Sequence, residues 1–162
     1  MARRRIQHED RPAVAEFIER NWPGQVVFSR GRCYSARELE GYVEDRDGRI
    51  VGLLTGVREG EDLHLLTLNS TLAGQNIASG LMLTAIDEAR RDNIRRIWFT
   101  TTNDNLRLMG FYQRLGFRLT QVHQNAVDEV RKQKPQIPEI GFDGIPIHDE
   151  LVLELHLKPS TA

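Results

Sequence analysis

The chain has 162 residues, 22 Lys+Arg against 23 Asp+Glu, a formal net charge of −1 and one cysteine. That length suits one domain burying about 70% of its unfolded surface without disulfide or metal staples, and the balanced charge sets up no global field to recruit nucleic acid or a membrane. The basic opening Met1-Ala2-Arg3-Arg4-Arg5 runs into no apolar stretch, so neither a secretory signal nor a membrane span is expected. Cys33 alone makes no disulfide framework and no cysteine-rich metal site, and a reducing, cytoplasmic setting is the expectation.

Residues 3–7 read as a first strand with Ile6 as its apolar member. His8-Glu9-Asp10 before Pro12 is a helix-start signal. Val14, Phe17 and Ile18, at i, i+3 and i+4, carry a helix face to about Asn21, where Trp22-Pro23-Gly24 stops it. Residues 25–34 are ambiguous, Val26-Val27-Phe28 being too short to assign. Ser35, with Glu38 three residues on, has the form of a capping box opening a short helix that contains Leu39. Residues 41–46 and 49–57 read as strands joined by Asp47-Gly48, a strong hairpin signal, and residues 63–68 as a third strand of the meander.

Ala78, Leu81, Met82, Ala85, Ile86 and Ala89 then recur at helical spacing and form one apolar stripe that must pack on a sheet. Asn93 suits a left-handed turn after that helix. Residues 94–101, rich in β-branched and aromatic side chains, read as a strand, and strand–helix–strand predicts a parallel pair with a right-handed crossover. Asp104 or Asn105 caps a further helix with Leu108, Phe111, Tyr112 and Leu115 on one face, ended by Gly116. Residues 117–122 follow as a strand. An insertion over 123–148 has helical character at 125–134 and is then broken by Pro135, Pro138, Gly141, Gly144 and Pro146. Residues 149–157 alternate, with Leu151, Leu153, Leu155 and Leu157 on one face as in a half-buried strand, and the tail 158–162 is expected to be loose.

The chemistry concentrates between Leu66 and Phe117. Ala73-Gly74-Gln75-Asn76 are small or polar and sit between a strand and a helix. The first N–H groups of a helix have no partner inside it and carry about half a positive charge, so this junction is an anion site, most often for phosphate.

Leu66-Thr67-Leu68, followed by Ala73-Gly74-Gln75-Asn76-Ile77-Ala78 with Ser79 opening the helix, resembles the acetyl-CoA signature of the GCN5-related N-acetyltransferase (GNAT) superfamily. Thr102-Asn103-Asp104-Asn105 and Phe111-Tyr112-Gln113-Arg114-Leu115-Gly116-Phe117 resemble its second signature, and the likeness extends over essentially the whole chain. It implies one α/β (α+β) domain with a mixed, mostly antiparallel twisted sheet of about seven strands. Helices lie on both faces, and the fourth and fifth strands splay in a V. It also implies acetyl-CoA as cosubstrate, no metal, and acetyl transfer to a primary amine by direct attack in a ternary complex. Partners would be acetyl-CoA and the amine, with neither nucleic acid nor membrane, and the state a monomer or homodimer.

On this resemblance Leu66, Thr67, Leu68, Gly74, Gln75, Asn76, Ile77, Ala78, Ser79, Asn105 and Tyr112 contact the cofactor, and backbone N–H groups near Leu68 stabilise the oxyanion. Tyr112 is the general acid: a phenol of pKa about 10 stays protonated at neutral pH and can supply a thiolate whose thiol is at about 8.5. Read from spacing alone, Tyr112 is equally a core aromatic and Asn105 a simple helix cap. The base is open between Asp62, where histone-modifying members carry a strand glutamate, and His64, two residues on and on the same face of a regular strand, with an unperturbed pKa of about 6.5. Glu150, His148 or water are further candidates.

Several positions depart from the family pattern. Ala73 replaces a Gln or Arg, removing a phosphate contact. Asn76 replaces a glycine, yet asparagine visits positive φ readily, so the backbone cradle is expected to hold. Thr100 stands where some members that modify protein N-termini carry a glutamate base. The insertion reads as an ordered lid, or else a solvated loop, and Glu139, Asp143, Asp149 and Glu150 could make the acceptor groove acidic. A second reading is an acyl-CoA-binding or sensing module of the same fold without turnover. A nucleotide kinase is a poor reading, because no Lys-Ser/Thr pair of the P-loop type follows the glycine segment.

Overall fold

A computed structural model describes residues 2–21, 26–72 and 75–158. The Trp22-Pro23-Gly24 stop, the Ala73-Gly74 pair and the tail beyond Lys158 lie outside the described residues. In chain order the elements are β1 (Ala2–Arg5), α1 (Arg11–Asn21), β2 (Val26–Ser29), β3 (Arg32–Ser35), β4 (Glu40–Arg46), β5 (Arg49–Glu59), β6 (Asp62–Ser70), α2 (Ile77–Arg91), β7 (Arg96–Thr102), α3 (Leu106–Arg114), β8 (Arg118–His123), α4 (Ala126–Gln133) and β9 (Glu150–His156). Seven strands form one sheet in the order β1-β4-β5-β6-β7-β9-β8. All neighbours are antiparallel except β6 and β7. β2 and β3 pair only with each other.

Successive residues on a strand face opposite ways, so the sheet supports a core on each side. Leu53 joins Val14, Phe17, Ile18 and Val43 beneath α1. Its neighbour Leu54 joins Leu81, Met82, Ile97 and Tyr112 on the side of α2 and α3. The predicted stripe of α2 is buried from Leu81 onwards, but at its start the buried residue is Ile77, at 1% exposure, while Ala78 is half-buried. Ile77 lies tight against Gly52: a Cβ there would come within 2.4 Å of the Ile77 Cγ2.

Two sequence expectations are corrected. Ser35 makes no capping hydrogen bond, only one 3-10 turn follows it (Ala36–Glu38), and Leu39 is extended. With Leu39 extended, no α-helix follows for a cap at Ser35 to open. β9 is not half-buried, because it lies inside the sheet between β7 and β8. Val152 and Glu154, on the face opposite the leucines, are also buried, and Glu154 accepts from Arg96 at 2.5 Å.

The ambiguous stretch 25–34 holds a hairpin. Arg30 and Gly31 both have positive φ (50° and 74°), as do Asp47 and Gly48 (53° and 77°), the signature of a two-residue hairpin turn. Elsewhere, Glu44 is fully buried on β4 and accepts from Arg3 at 2.6 Å and Arg46 at 2.8 Å, so both carboxylate oxygens are engaged. Arg3 continues across the first turn of α2, where the missing side chain of Gly80 admits its guanidinium. Among the described residues no helix is long and apolar enough to cross a membrane.

Leu81, with no exposed surface, joins α2 to the sheet. Leu81→Ala is expected to cost about 2–5 kcal/mol, read as a lower urea midpoint at an unchanged slope.

Candidate active site

The site begins where two strands separate. β6 and β7 pair through three rungs, Asp62↔Arg96, Leu63↔Ile97 and His64↔Trp98. β6 then continues to Ser70 along β5, and β7 to Thr102 along β9. The edges facing each other beyond His64 share no ladder, which is the splay expected between the fourth and fifth strands of the sheet. A bulge on β6 accompanies it: Thr55 pairs with Thr67 and Gly56 with Leu65, leaving Leu66 as the extra residue. A bulge bends its strand and re-aims the side chains beyond it. Leu63 and Leu65 pack on the α2 side before the bulge and Leu68 after it. Thr67 faces the other way, is 4% exposed and lies 2.5 Å from Thr55 Oγ1. Its side chain is therefore engaged within the sheet, leaving its backbone as the part able to meet a ligand.

The helix that follows starts in the expected conformation. Asn76 has φ 55° and ψ 25°, in the left-handed region, and its carbonyl accepts from Gly80 N at 2.9 Å and Ser79 Oγ at 3.3 Å. Gln75 accepts from Arg46. Ile77 belongs to the core. The start of α2 thus combines its own dipole with the guanidiniums of Arg3 and Arg46. Gly74, predicted to contact cofactor, lies outside the described residues.

At the end of β7 three consecutive residues are used differently. Asn103 Oδ1 accepts from His148 N and Asp149 N, both at 3.0 Å, and its Nδ2 donates to Pro146 O at 2.9 Å. Asp104, 2% exposed, accepts from Thr102 Oγ1 and from Phe142 N at 3.1 Å. Asn105 caps α3, accepting from Leu108 N at 3.3 Å. The turn therefore fastens the second half of the insertion to the sheet. Tyr112 is 3% exposed and packs against Phe99, Phe111 and Phe117 at ring separations of 4.1, 5.1 and 5.2 Å. Burial pushes its phenol well above the ordinary value.

The base candidates separate clearly. Asp62 is held by Arg96 at 2.7 Å, at the closed end of the ladder. Glu150 pairs with Arg30 at 2.7 Å and His148 with Asp128 at 3.0 Å. Glu139 and Asp143 are exposed. His64 occupies the last rung and is 1% exposed. Its ring is stacked on Trp98 at 3.7 Å and 9° and meets Tyr34 edge-on at 5.8 Å. Nε2 lies 2.8 Å from Ser29 Oγ, which lies 2.9 Å from Thr100 Oγ1. Nδ1 has Glu59 Oε1 at 3.4 Å but no hydrogen bond of good geometry. Burial lowers the imidazole pKa, with Glu59 opposing. Ser29 was missed in the sequence because it ends β2 in the ambiguous stretch; Gly31 alone is a weak turn signal when arginine precedes it.

Two cavities among the described residues lie elsewhere. One of about 480 Å³ lies beside Tyr42, Leu54, Leu63 and Ala89, near the opposite end of α2 from Asn76. Another of about 150 Å³ lies by Arg30, Trp98 and Glu154. Among the described residues no cluster of three or more His, Cys, Asp or Glu is arranged to hold a metal ion.

A mixed sheet that opens between its fourth and fifth strands, with a helix starting beyond each open end, is the architecture of an acetyltransferase fold. The acetyltransferase (GNAT) family matches residues 5–117, and the chain belongs to that family. It is 38% identical over 147 residues to YxbD of Bacillus subtilis (strain 168), spanning 90% of this chain and 92% of that one. It is similar in structure to the IAA acetyltransferase from Bacillus cereus ATCC 14579 (TM-score 0.70, 17% identity, 96% and 99% of the two chains). It is also similar to a GNAT family acetyltransferase from Elizabethkingia anophelis with acetyl-CoA bound (TM-score 0.61, 23% identity, 74% and 76%).

Because the pKa of His64 is depressed in the folded state, falling pH protonates the unfolded chain first. The stability it contributes is present above about pH 6.5 and is lost as pH falls from there through the folded value. Urea midpoints of wild type and His64→Gln, compared from about pH 7.5 to about pH 5, should show a steeper acid loss in wild type. A difference that does not change with pH would show that His64 is not depressed.

Proposed function

We propose that the protein is an acetyl-CoA-dependent N-acetyltransferase that moves the acetyl group to a primary amine by direct attack in a ternary complex, with the cytoplasm as its setting. The observation that carries this reading is the three-rung ladder: β6 and β7 part beyond His64, and α2 and α3 begin just past their open ends. The residues present fit the cosubstrate. Asn76 already holds the left-handed conformation that leaves the α2 N–H groups directed at a phosphate. Arg3 and Arg46 beside them supply the cationic character that Ala73 lacks.

In this reading Gln75, Asn76, Ala78 and Ser79, with the backbone of Gly74 and Ile77, hold the pyrophosphate. The backbone of Leu66, Thr67 and Leu68 and the Asn105 amide line the pantetheine arm. N–H groups on the unpaired edge of β6 stabilise the developing oxyanion. Acetyl-CoA supplies the activated thioester. Tyr112, kept protonated by burial, donates to the departing sulfur. A phenol above its usual range is a weak acid for a thiol of about 8.5, but the same burial raises the pKa of a desolvated thiolate and narrows the mismatch. His64 is preferred over Asp62 as base, because Asp62 is held by Arg96 at the closed end. The near-complete burial of Tyr112 also supports the runner-up, an acyl-CoA-binding module without turnover.

Thiol release from acetyl-CoA with a panel of primary amines tests this. Wild type should turn over, and Tyr112→Phe should lower kcat about 10²-fold while calorimetric CoA affinity stays the same. Wild type that binds acetyl-CoA yet releases no CoA with any amine would favour the binding module. At the cradle, Asn76→Gly should hold CoA as tightly as wild type or more so. Asn76→Val, forced into the left-handed region at about 1–2 kcal/mol, should bind roughly tenfold more weakly. Weaker binding by Asn76→Gly would displace the phosphate site from this loop.

A further inference from the structure

We propose that Thr100 and Ser29 form a two-hydroxyl relay that carries the proton of the acceptor amine from the gap between β6 and β7 to the buried imidazole of His64. The proposal rests on the acetyltransferase reading and deepens it.

The geometry is a continuous chain. Thr100 lies two residues past Trp98, the last residue of β7 paired with β6, so it shares the face of Trp98 and stands at the opening. It is partly exposed, whereas Ser29 is 2% exposed and His64 1%. Thr100 Oγ1, Ser29 Oγ and His64 Nε2 are spaced at 2.9 and 2.8 Å. The base is thus enclosed, while the residue at the outer end of the chain of hydroxyls is partly exposed. Thr100 lies on β7 beyond the last rung shared with β6, and it lacks a basic group of its own. Ser29, delivered by the β2–β3 hairpin, connects it to one.

The direction of transfer is set by the other ring nitrogen. For protons to move inward, Nε2 must be bare and accept from Ser29, so Nδ1 must carry the hydrogen. Glu59 Oε1, the nearest carboxylate at 3.4 Å, favours that tautomer. The charged groups acting on the ring are Glu59 from β5, Glu150 from β9 and Arg32 from β3. Trp98 and Tyr34 enclose it with aromatic surface. The two carboxylates favour imidazolium once it forms, and burial keeps the resting ring neutral and ready to accept.

The step balances. The ammonium passes one proton through Thr100 and Ser29 to Nε2 and becomes a neutral amine. Its nitrogen forms the new bond to the acetyl carbon as the carbon–sulfur bond breaks, and the electron pair leaves on sulfur. The sulfur takes the Tyr112 proton, and the phenolate regains one from the nitrogen as it becomes an amide. His64 returns its proton to water. The products are the acetylated amine, CoA thiol and one proton.

The first test needs no acceptor. Nitrogen-15 NMR of the histidine rings in the full-length protein at neutral pH, with His64→Gln to assign the resonance, reports which nitrogen of His64 is protonated. The expected result is hydrogen on Nδ1 and a bare Nε2. Hydrogen on Nε2 overturns the relay, whatever the protein's activity. The second test uses acetyl-CoA with spermidine, lysine, tyramine and ethylamine. Thr100→Val and Ser29→Ala should each lower kcat about 10- to 100-fold with the KM for acetyl-CoA unchanged, and Thr100→Ser should restore it. The deficit should shrink as pH rises and the free amine loses its proton unaided. Variants as active as wild type, or a deficit independent of pH, overturn the relay. If no amine is turned over, the acetyltransferase reading fails on that account, and the ring tautomer still decides the direction of the hydrogen-bond chain.

Discussion

Three rungs of parallel pairing hold β6 to β7, and the site depends on their stopping at His64. Each strand keeps its other neighbour, β5 or β9, for its whole length beyond that point. The sheet can therefore open without either strand coming loose. The bulge at Leu66 makes the opening compatible with the core. Side chains alternate along a strand, and one extra residue reverses which of them face a given side. Leu65 and Leu68, three apart, both pack towards α2 for this reason. Without the extra residue, Thr67 would sit in the apolar layer and Leu68 would leave it.

Two buried polar side chains show opposite strategies. Glu44 is enclosed and both of its oxygens receive guanidinium hydrogen bonds. A buried charge requires that compensation, since desolvation otherwise costs several kcal/mol, on the order of the whole stability of a domain. His64 is equally enclosed but only half satisfied, with Nδ1 left without a well-formed hydrogen bond. Glu44 anchors: it ties β1 and β4 to the start of α2 through Arg3 and Arg46. His64 keeps one ring nitrogen, Nδ1, uncommitted, at the rung where the β6–β7 ladder ends.

Much of this was legible in the sequence. The helix stripe of α2, the Asp47-Gly48 hairpin and the Asn93 turn, at φ 60°, all depend on local rules that a short window contains. The left-handed Asn76 was readable for the same reason. The β2–β3 hairpin was not, because arginine stands at a turn position where asparagine, aspartate or glycine is the usual marker, and its strands have four residues each. With it went Ser29. The different surroundings of Asp62 and His64 were likewise beyond local rules. They turn on Arg96, 34 residues from Asp62 along the chain, and on where a ladder between distant strands ends. The burial of both faces of β9 comes from its place inside the sheet, which alternation along one strand does not reveal.

The β2–β3 hairpin shares no ladder with the main sheet. Side chains connect it instead: Ser29 to His64 and Thr100, Arg30 to Glu150, and Lys134 above Phe28 at 5.6 Å. A ladder fixes a segment's register along its whole length, so replacing a strand disturbs its neighbours; point attachments impose no such rule. The hairpin is therefore an exchangeable module. Its length and charge can change without shifting the register of the seven-stranded sheet, provided residue 29 keeps its hydroxyl between His64 and Thr100.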